Sequence, residues 1–185
     1  MAGRDDIMNM QGMSARKPER KLFRLGELDN YEVADDDPDV RGWEVLDQNG
    51  EKIGEIEDLI VDPELLKVRY LDIATIDELD PGDAERHLLI PIGAARLDED
   101  DDEVIINGLN RDTLKEYPVY GGGPVTLDYE HSLRESISGR LTGKSQAPTA
   151  EGETYNSDLY DEEHFYSPRR NPMLPDKKPH VVRRG

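Results

Sequence analysis

The stretch 42–62, GWEVLDQNGEKIGEIEDLIVD, does most to fix what this chain can become. Two β-like runs flank Gln48, Asn49 and Gly50. An Asn-Gly pair between apolar runs signals a hairpin, because both residues tolerate positive φ. Strands committed to a hairpin need further partners, and the chain supplies them. Residues 68–76 (VRYLDIATI) form a third expected strand, rich in β-branched and aromatic residues. After a polar turn over 77–83, residues 87–92 (HLLIPI) form a fourth. Pro91 cannot donate to a ladder, so it belongs at an edge or a bulge. Residues 97–103 (LDEDDDE) read as an acidic hairpin tip, and 104–107 (VIIN) as a fifth strand. Short strands at this spacing predict a mainly β fold, a small antiparallel barrel. Val45, Ile56, Ile60, Leu71, Ile73, Leu89 and Ile105 are expected in its core.

Two short helices are expected after the last strand. The first covers 111–117, capped by Asn110 or Asp112. Gly121, Gly122, Gly123 and Pro124 then end the domain, and the second helix covers 127–137. The domain is thus expected over 25–126, opening on an acidic loop with Asp35, Asp36, Asp37 and Asp39. Residues 127–138 are the short helix. Residues 1–24 read as a flexible basic arm and 139–185 as an extended, mostly irregular tail, rich in Pro, Ser, Gly and Thr.

Hydrophobic residues make up 35% of the 185 and charged residues another 35%. Soluble domains usually hold ~45–50% apolar residues, so only part of this chain can build a core. The net charge of −19 is unevenly spread. Residues 1–24 carry +3, residues 25–138 carry −23, and residues 139–185 carry +1, with +5 in the last 22. An acidic body repels phosphates, so nucleic acid is not an expected partner. Basic ends suit anionic lipid or acidic protein faces. There is no cysteine, so disulfides and thiolate metal sites are excluded. No apolar run approaches the ~18–20 residues of a membrane-spanning helix. The N-terminal residues lack the apolar core of a secretory signal, so neither export nor membrane insertion is expected.

The run RGWEVLDQNGEKIGEIEDLIVDPELLKVRYLDIA, followed by RHLLIPIGAARLDEDDDEVIINGL, resembles the PRC-barrel family. The matching features are a Gly-rich hairpin, the pattern at 54–62, a strand at 70–73, a second at 88–91, and an apolar strand leading to a short helix that ends in Pro118. The resemblance covers about residues 40–130. It includes the cytoplasmic domain of photosynthetic reaction-centre H subunits, whose extension beyond the barrel is similar to 114–118 and 123–127 here. The membrane-spanning helix of those subunits has no counterpart.

That resemblance implies a non-catalytic subunit capping a reaction centre near its quinone side, with bacteriochlorophyll and quinone held by partner subunits and no cofactor on this chain. The partners would be the membrane-embedded subunits and a separate, membrane-anchored H-like polypeptide. The location would be cytoplasmic, peripheral on the inner face of the photosynthetic membrane. It also implies proton-relay candidates toward the secondary quinone: Asp62 and Glu64, closing the second strand in VDPE, and Asp29 in GELD. Clustered carboxylates repel one another, so some titrate nearer neutrality and can pass protons. The plain reading of Asp62 is a cap before a proline turn. The other reading of the whole chain is a stand-alone cytosolic PRC-barrel protein, stress-related, that binds a partner. A ribosome-maturation role needs a separate RNA-facing domain, for which residues 1–40 are too few.

The residues themselves give no support to nucleophilic catalysis: Cys and the G-x-S-x-G pattern are absent, and no His is spaced like a base beside a nucleophile. The glycines at 121–123 lack the lysine and hydroxyl of a phosphate loop. The acidic runs lack the glycine of an EF-hand turn, so no metal site is expected. His87, His131, His164 and His180 read as structural or solvated, and Trp43 as barrel wall. Arg169, Arg170, Lys177, Lys178, Arg183 and Arg184 are the expected contacts to lipid or to a partner.

Overall fold

The hairpin at Asn49-Gly50 forms, and a sheet grows from both of its arms. The structure, a computed structural model, describes residues 21–76, 85–98, 100–137, 158–166 and 179–185. Its strands are β1 (Phe23–Arg24), β2 (Tyr31–Val33), β3 (Glu44–Leu46), β4 (Lys52–Asp62), β5 (Lys67–Thr75), β6 (His87–Pro91), β7 (Ala95–Asp98), β8 (Glu103–Ile106), β9 (Val119–Tyr120) and β10 (Val181–Arg183). Helices α1 (Arg111–Leu114), α2 (Leu127–Ile137) and α3 (Glu162–Tyr166) complete it, with short 3-10 turns at Leu25–Glu27, Ile92–Ala94 and Asp158–Tyr160.

In the hairpin turn only Gly50 takes positive φ, at 81°. Asp47 does the rest. Its buried carboxylate accepts the Asn49 N–H at 2.7 Å and the Glu51 N–H at 3.0 Å. This is the local Asx chemistry that turns favour. The main sheet runs β7-β8-β3-β4-β5-β6-β9, with β1 added to β4. It curls around the core as a half-barrel. Every pairing is antiparallel except β3 with β8, which is parallel. The sheet is thus mostly antiparallel, as expected, with one parallel seam. A long connection separates those two strands, and a parallel pair requires one.

Of the expected core residues, Val45, Ile56, Ile60, Leu71, Ile73 and Leu89 are buried. Ile105 is only half-buried, because the alternation of β8 turns Val104 and Ile106 inward. Pro91 closes β6, where it pairs with Tyr70 before the chain turns. Trp43 packs half-buried against the core. Strand β5 is buried along both faces after Lys67. One face carries Tyr70, whose hydroxyl donates to Glu130 of α2 at 2.7 Å and lies 3.0 Å from the Tyr160 hydroxyl.

Residues 21–24, expected in the flexible arm, are ordered. Leu22 is buried and bridges Val125, and Arg24 sits in β1. The described parts of 139–185 also lie against the body. Tyr160, Phe165 and Tyr166 are buried, and β10 pairs antiparallel with β2. The rest of the expected arms, 1–20, 139–157 and 167–178, lies outside the described residues, as does residue 138, the expected end of the helix.

Candidate functional site

Strands β4 and β5 each carry an aspartate where an apolar residue would be ordinary. Asp58 and Asp72 face one another in the ladder. A bulge between Ile56 and Asp58 shifts the register there, and bulges re-aim side chains. Asp72 is fully buried, and Asp58 is nearly so. Like charges directly opposite are unfavourable, and buried charges need partners. Three elements supply them. Strand β1, paired with β4, brings Arg24, whose Nη2 lies 2.8 Å from Asp72 Oδ2 and whose Nε lies 3.5 Å from Asp58 Oδ2. Strand β6 brings His87, with Nδ1 2.9 Å from Asp72 Oδ1. The Leu25–Glu27 turn brings the Gly26 N–H, which donates to both Asp58 oxygens at 3.2 Å. A Cβ on Gly26 would sit 2.9 Å from Asp58 Oδ2, so glycine lets the backbone reach the carboxylate. The Leu59 N–H adds a bond at 2.8 Å.

Burial pushes the Asp72 carboxyl up from its ordinary value, against the pull of His87 and Arg24, and Asp58 pushes the same way. Tyr120, which pairs with His87 in the ladder, is pushed up to about 12 by burial and then by the charge of Asp72. The cluster meets solvent through Arg24 and His87, whose side chains are 23% and 25% exposed. With His87 protonated its four charged groups balance. With His87 neutral they carry one net negative charge. Chemically the site can hold a proton among buried carboxylates, and it fastens the N-terminal strand to the barrel. Sequence reasoning missed it. The available signal was an aspartate in mid-strand in EIEDLIVD and VRYLDIATI, since aspartate is depleted from strands. That the two face each other is visible only once the register is known.

The residues singled out from sequence are placed differently. Asp62 is 2% exposed, and its Oδ1 accepts the Glu64 and Leu65 N–H groups at 3.0 Å each, capping the turn after β4. Its Oδ2 is buried without a hydrogen-bond partner among the described residues. Glu64 and Asp29 are exposed. Apart from that Glu64 backbone bond, no hydrogen bond or ion pair links Asp29, Asp62 and Glu64 among the described residues, and their carboxylates form no chain. Arg183 is exposed, and Arg184 Nε donates to Glu32 Oε2 at 2.6 Å. Arg169, Arg170, Lys177 and Lys178 lie outside the described residues. Among the described residues no group of three or more His, Asp or Glu is placed to hold a metal, and no helix is long and apolar enough to cross a membrane.

Comparison with known proteins agrees with this architecture. An uncharacterized protein of Deinococcus radiodurans is 30% identical over 103 residues, which is 54% of this chain but only 35% of that protein. The chain thus spans about a third of the relative it matches. The family model of the PRC-barrel domain matches residues 26–112, from the turn that holds Asp58 to the first turn of α1. The chain therefore carries a PRC-barrel domain over residues 26–112.

Proposed function

We propose that this PRC-barrel protein is a non-catalytic binding module, a packed barrel that presents an acidic surface to a basic partner protein. One observation supports this most strongly: the body sorts its acids into two sets. Asp47, Asp58, Asp72, Glu130 and Glu162 are buried and tied to donors inside the fold. Glu44, Glu51, Glu55, Glu57, Asp100 and Asp101 face water. A net −23 over residues 25–138 leaves that surface strongly negative. Such a field speeds encounter with basic faces and repels nucleic acid.

A narrower reading is a cap on the quinone side of a photosynthetic reaction centre, at the cytoplasmic membrane face. It is supported by the order of the barrel motifs and by the 114–118 and 123–127 patterns, which fall on the end of α1 and the approach to α2. In that reading the basic tail meets the membrane complex or anionic lipid. Asp62, Glu64 and Asp29 are then the relay candidates, and the Asp58–Asp72 cluster is a second one. Affinity purification of the tagged full chain from its native cells tests both readings. A complex bearing bacteriochlorophyll supports the narrower one. A defined protein complex without pigment leaves the binding module and removes the reaction-centre role. Recovery of the chain alone under all conditions contradicts both.

A further inference from the structure

We propose that residues 30–37, around strand β2, form a docking site for an extended basic peptide, and that the chain's own C-terminal strand occupies it. The inference rests on the binding-module reading and adds to it a partner class and a means of control. Strand β10 lies antiparallel on β2, with Val181 opposite Val33, Val182 opposite Glu32 and Arg183 opposite Tyr31. The ladder continues at both ends. Ala34 N donates to His180 O at 2.9 Å, and Arg184 N donates to Asn30 O at 2.7 Å. Strand addition of this kind draws affinity from the main chain and specificity from alternate side chains.

The side-chain contacts define what the site accepts. His180 is 1% exposed, with Nδ1 2.5 Å from Asp37 Oδ2 and its ring stacked on Tyr166 at 4.3 Å. Val181 is fully buried beside it. Arg184 reaches Glu32. Two acids thus hold two nitrogen-bearing side chains, His180 and Arg184, one at each end of an apolar contact. The ligand is basic, and the body that holds it is acidic.

The α3 wall of the seat is built independently of its occupant. Tyr166 belongs to α3, which Glu162 pins to β5 by accepting from Lys67 Nζ at 2.5 Å and from Val68 N at 2.9 Å. Among the described residues β2 pairs with no strand but β10, and the two form a sheet apart from the main one. Two-stranded sheets are marginal by themselves. The Tyr166 hydroxyl is buried with no hydrogen-bond partner among the described residues. Removing β10 would leave the main ladder intact and free an edge strand flanked by Glu32 and Asp37. Tethering gives the internal strand a high effective concentration, so an incoming peptide must outcompete it or wait for it to open.

The test uses the full chain carrying His180→Ala and Arg184→Glu, which loosens the internal strand. The probe is a fluorescent synthetic peptide with the sequence of residues 176–185 (DKKPHVVRRG). The variant should bind it at least about tenfold more tightly than the wild type. Adding Glu32→Gln and Asp37→Asn should cancel that gain. A variant that still unfolds cooperatively but binds no better than the wild type overturns the proposal. If the variant does not fold, amide exchange in the wild type decides. The Ala34 and Arg184 amides should exchange at least about a hundredfold faster than those between β4 and β5, and equal rates overturn the proposal. Failure here removes this site only, because binding through the exposed acids of the barrel is read separately from its salt dependence.

Discussion

Asp72 sits in mid-strand with no solvent exposure, opposite a second aspartate, and the fold tolerates it because Arg24 and His87 reach it. Its carboxyl holds a proton more readily in the folded chain than at the ordinary value of 3.8, mainly through burial. A raised acid contributes stability that is full below the unfolded value and lost as pH rises through the folded one. The wild type should therefore gain stability relative to Asp72→Asn as pH falls from 7 toward 4. Urea unfolding across that range measures it, and a pH-independent difference contradicts it. Gly26→Ala places a methyl 2.9 Å from an Asp58 carboxylate already held by several bonds. It should cost about 1–3 kcal/mol, as overpacking does. Of this cluster the sequence shows only two aspartates in mid-strand, not that they meet. Asp58 and Asp72 lie 14 positions apart, and Arg24 lies in a segment with no periodicity. Asp62 was legible as a turn cap, because a proline follows it directly.

Elements were legible in proportion to their length. Helix α2 runs 127–137, close to the expected 127–138, since 11 residues carry a full helical pattern. Strands β4, β5 and β6 lie where their β-branched runs place them. Strands β1, β2, β9 and β10 have two or three residues each and carry no usable period. In β8, three successive apolar residues hide the phase, so Ile105 could not be told from its neighbours. Two predictions belong at this scale. Asn110 accepts the Asp112 and Thr113 N–H groups while Thr113 Oγ1 accepts the Asn110 N–H. Asn110→Ala should therefore cost about 1 kcal/mol in chemical unfolding. Leu71→Ala, in the middle of β5, should cost about 2–5 kcal/mol, far more than any surface change.

Across the whole molecule, tyrosines stitch the later segments onto the barrel. Burial is the first cause that raises Tyr117, Tyr120, Tyr129, Tyr160 and Tyr166, with Tyr120 and Tyr160 pushed to about 12. Their neutral forms stabilise the fold fully below the ordinary value of 10, and that contribution is lost as pH rises through the folded values. The tyrosinate absorbance of these five should therefore rise together with unfolding above pH 10, and their gradual titration in the still-folded chain contradicts this. The central claim concerns the acidic surface. It is tested most directly by isolating partner complexes of the tagged full chain at about 0.1 M and about 1 M salt, where the Debye length falls from ~10 Å to ~3 Å. The same isolation is repeated with Glu55→Gln, Glu57→Gln, Asp100→Asn and Asp101→Asn combined. The account predicts a partner retained at low salt, released at high salt and weakened by the neutral variant. A partner held equally by both proteins at both salt concentrations contradicts it.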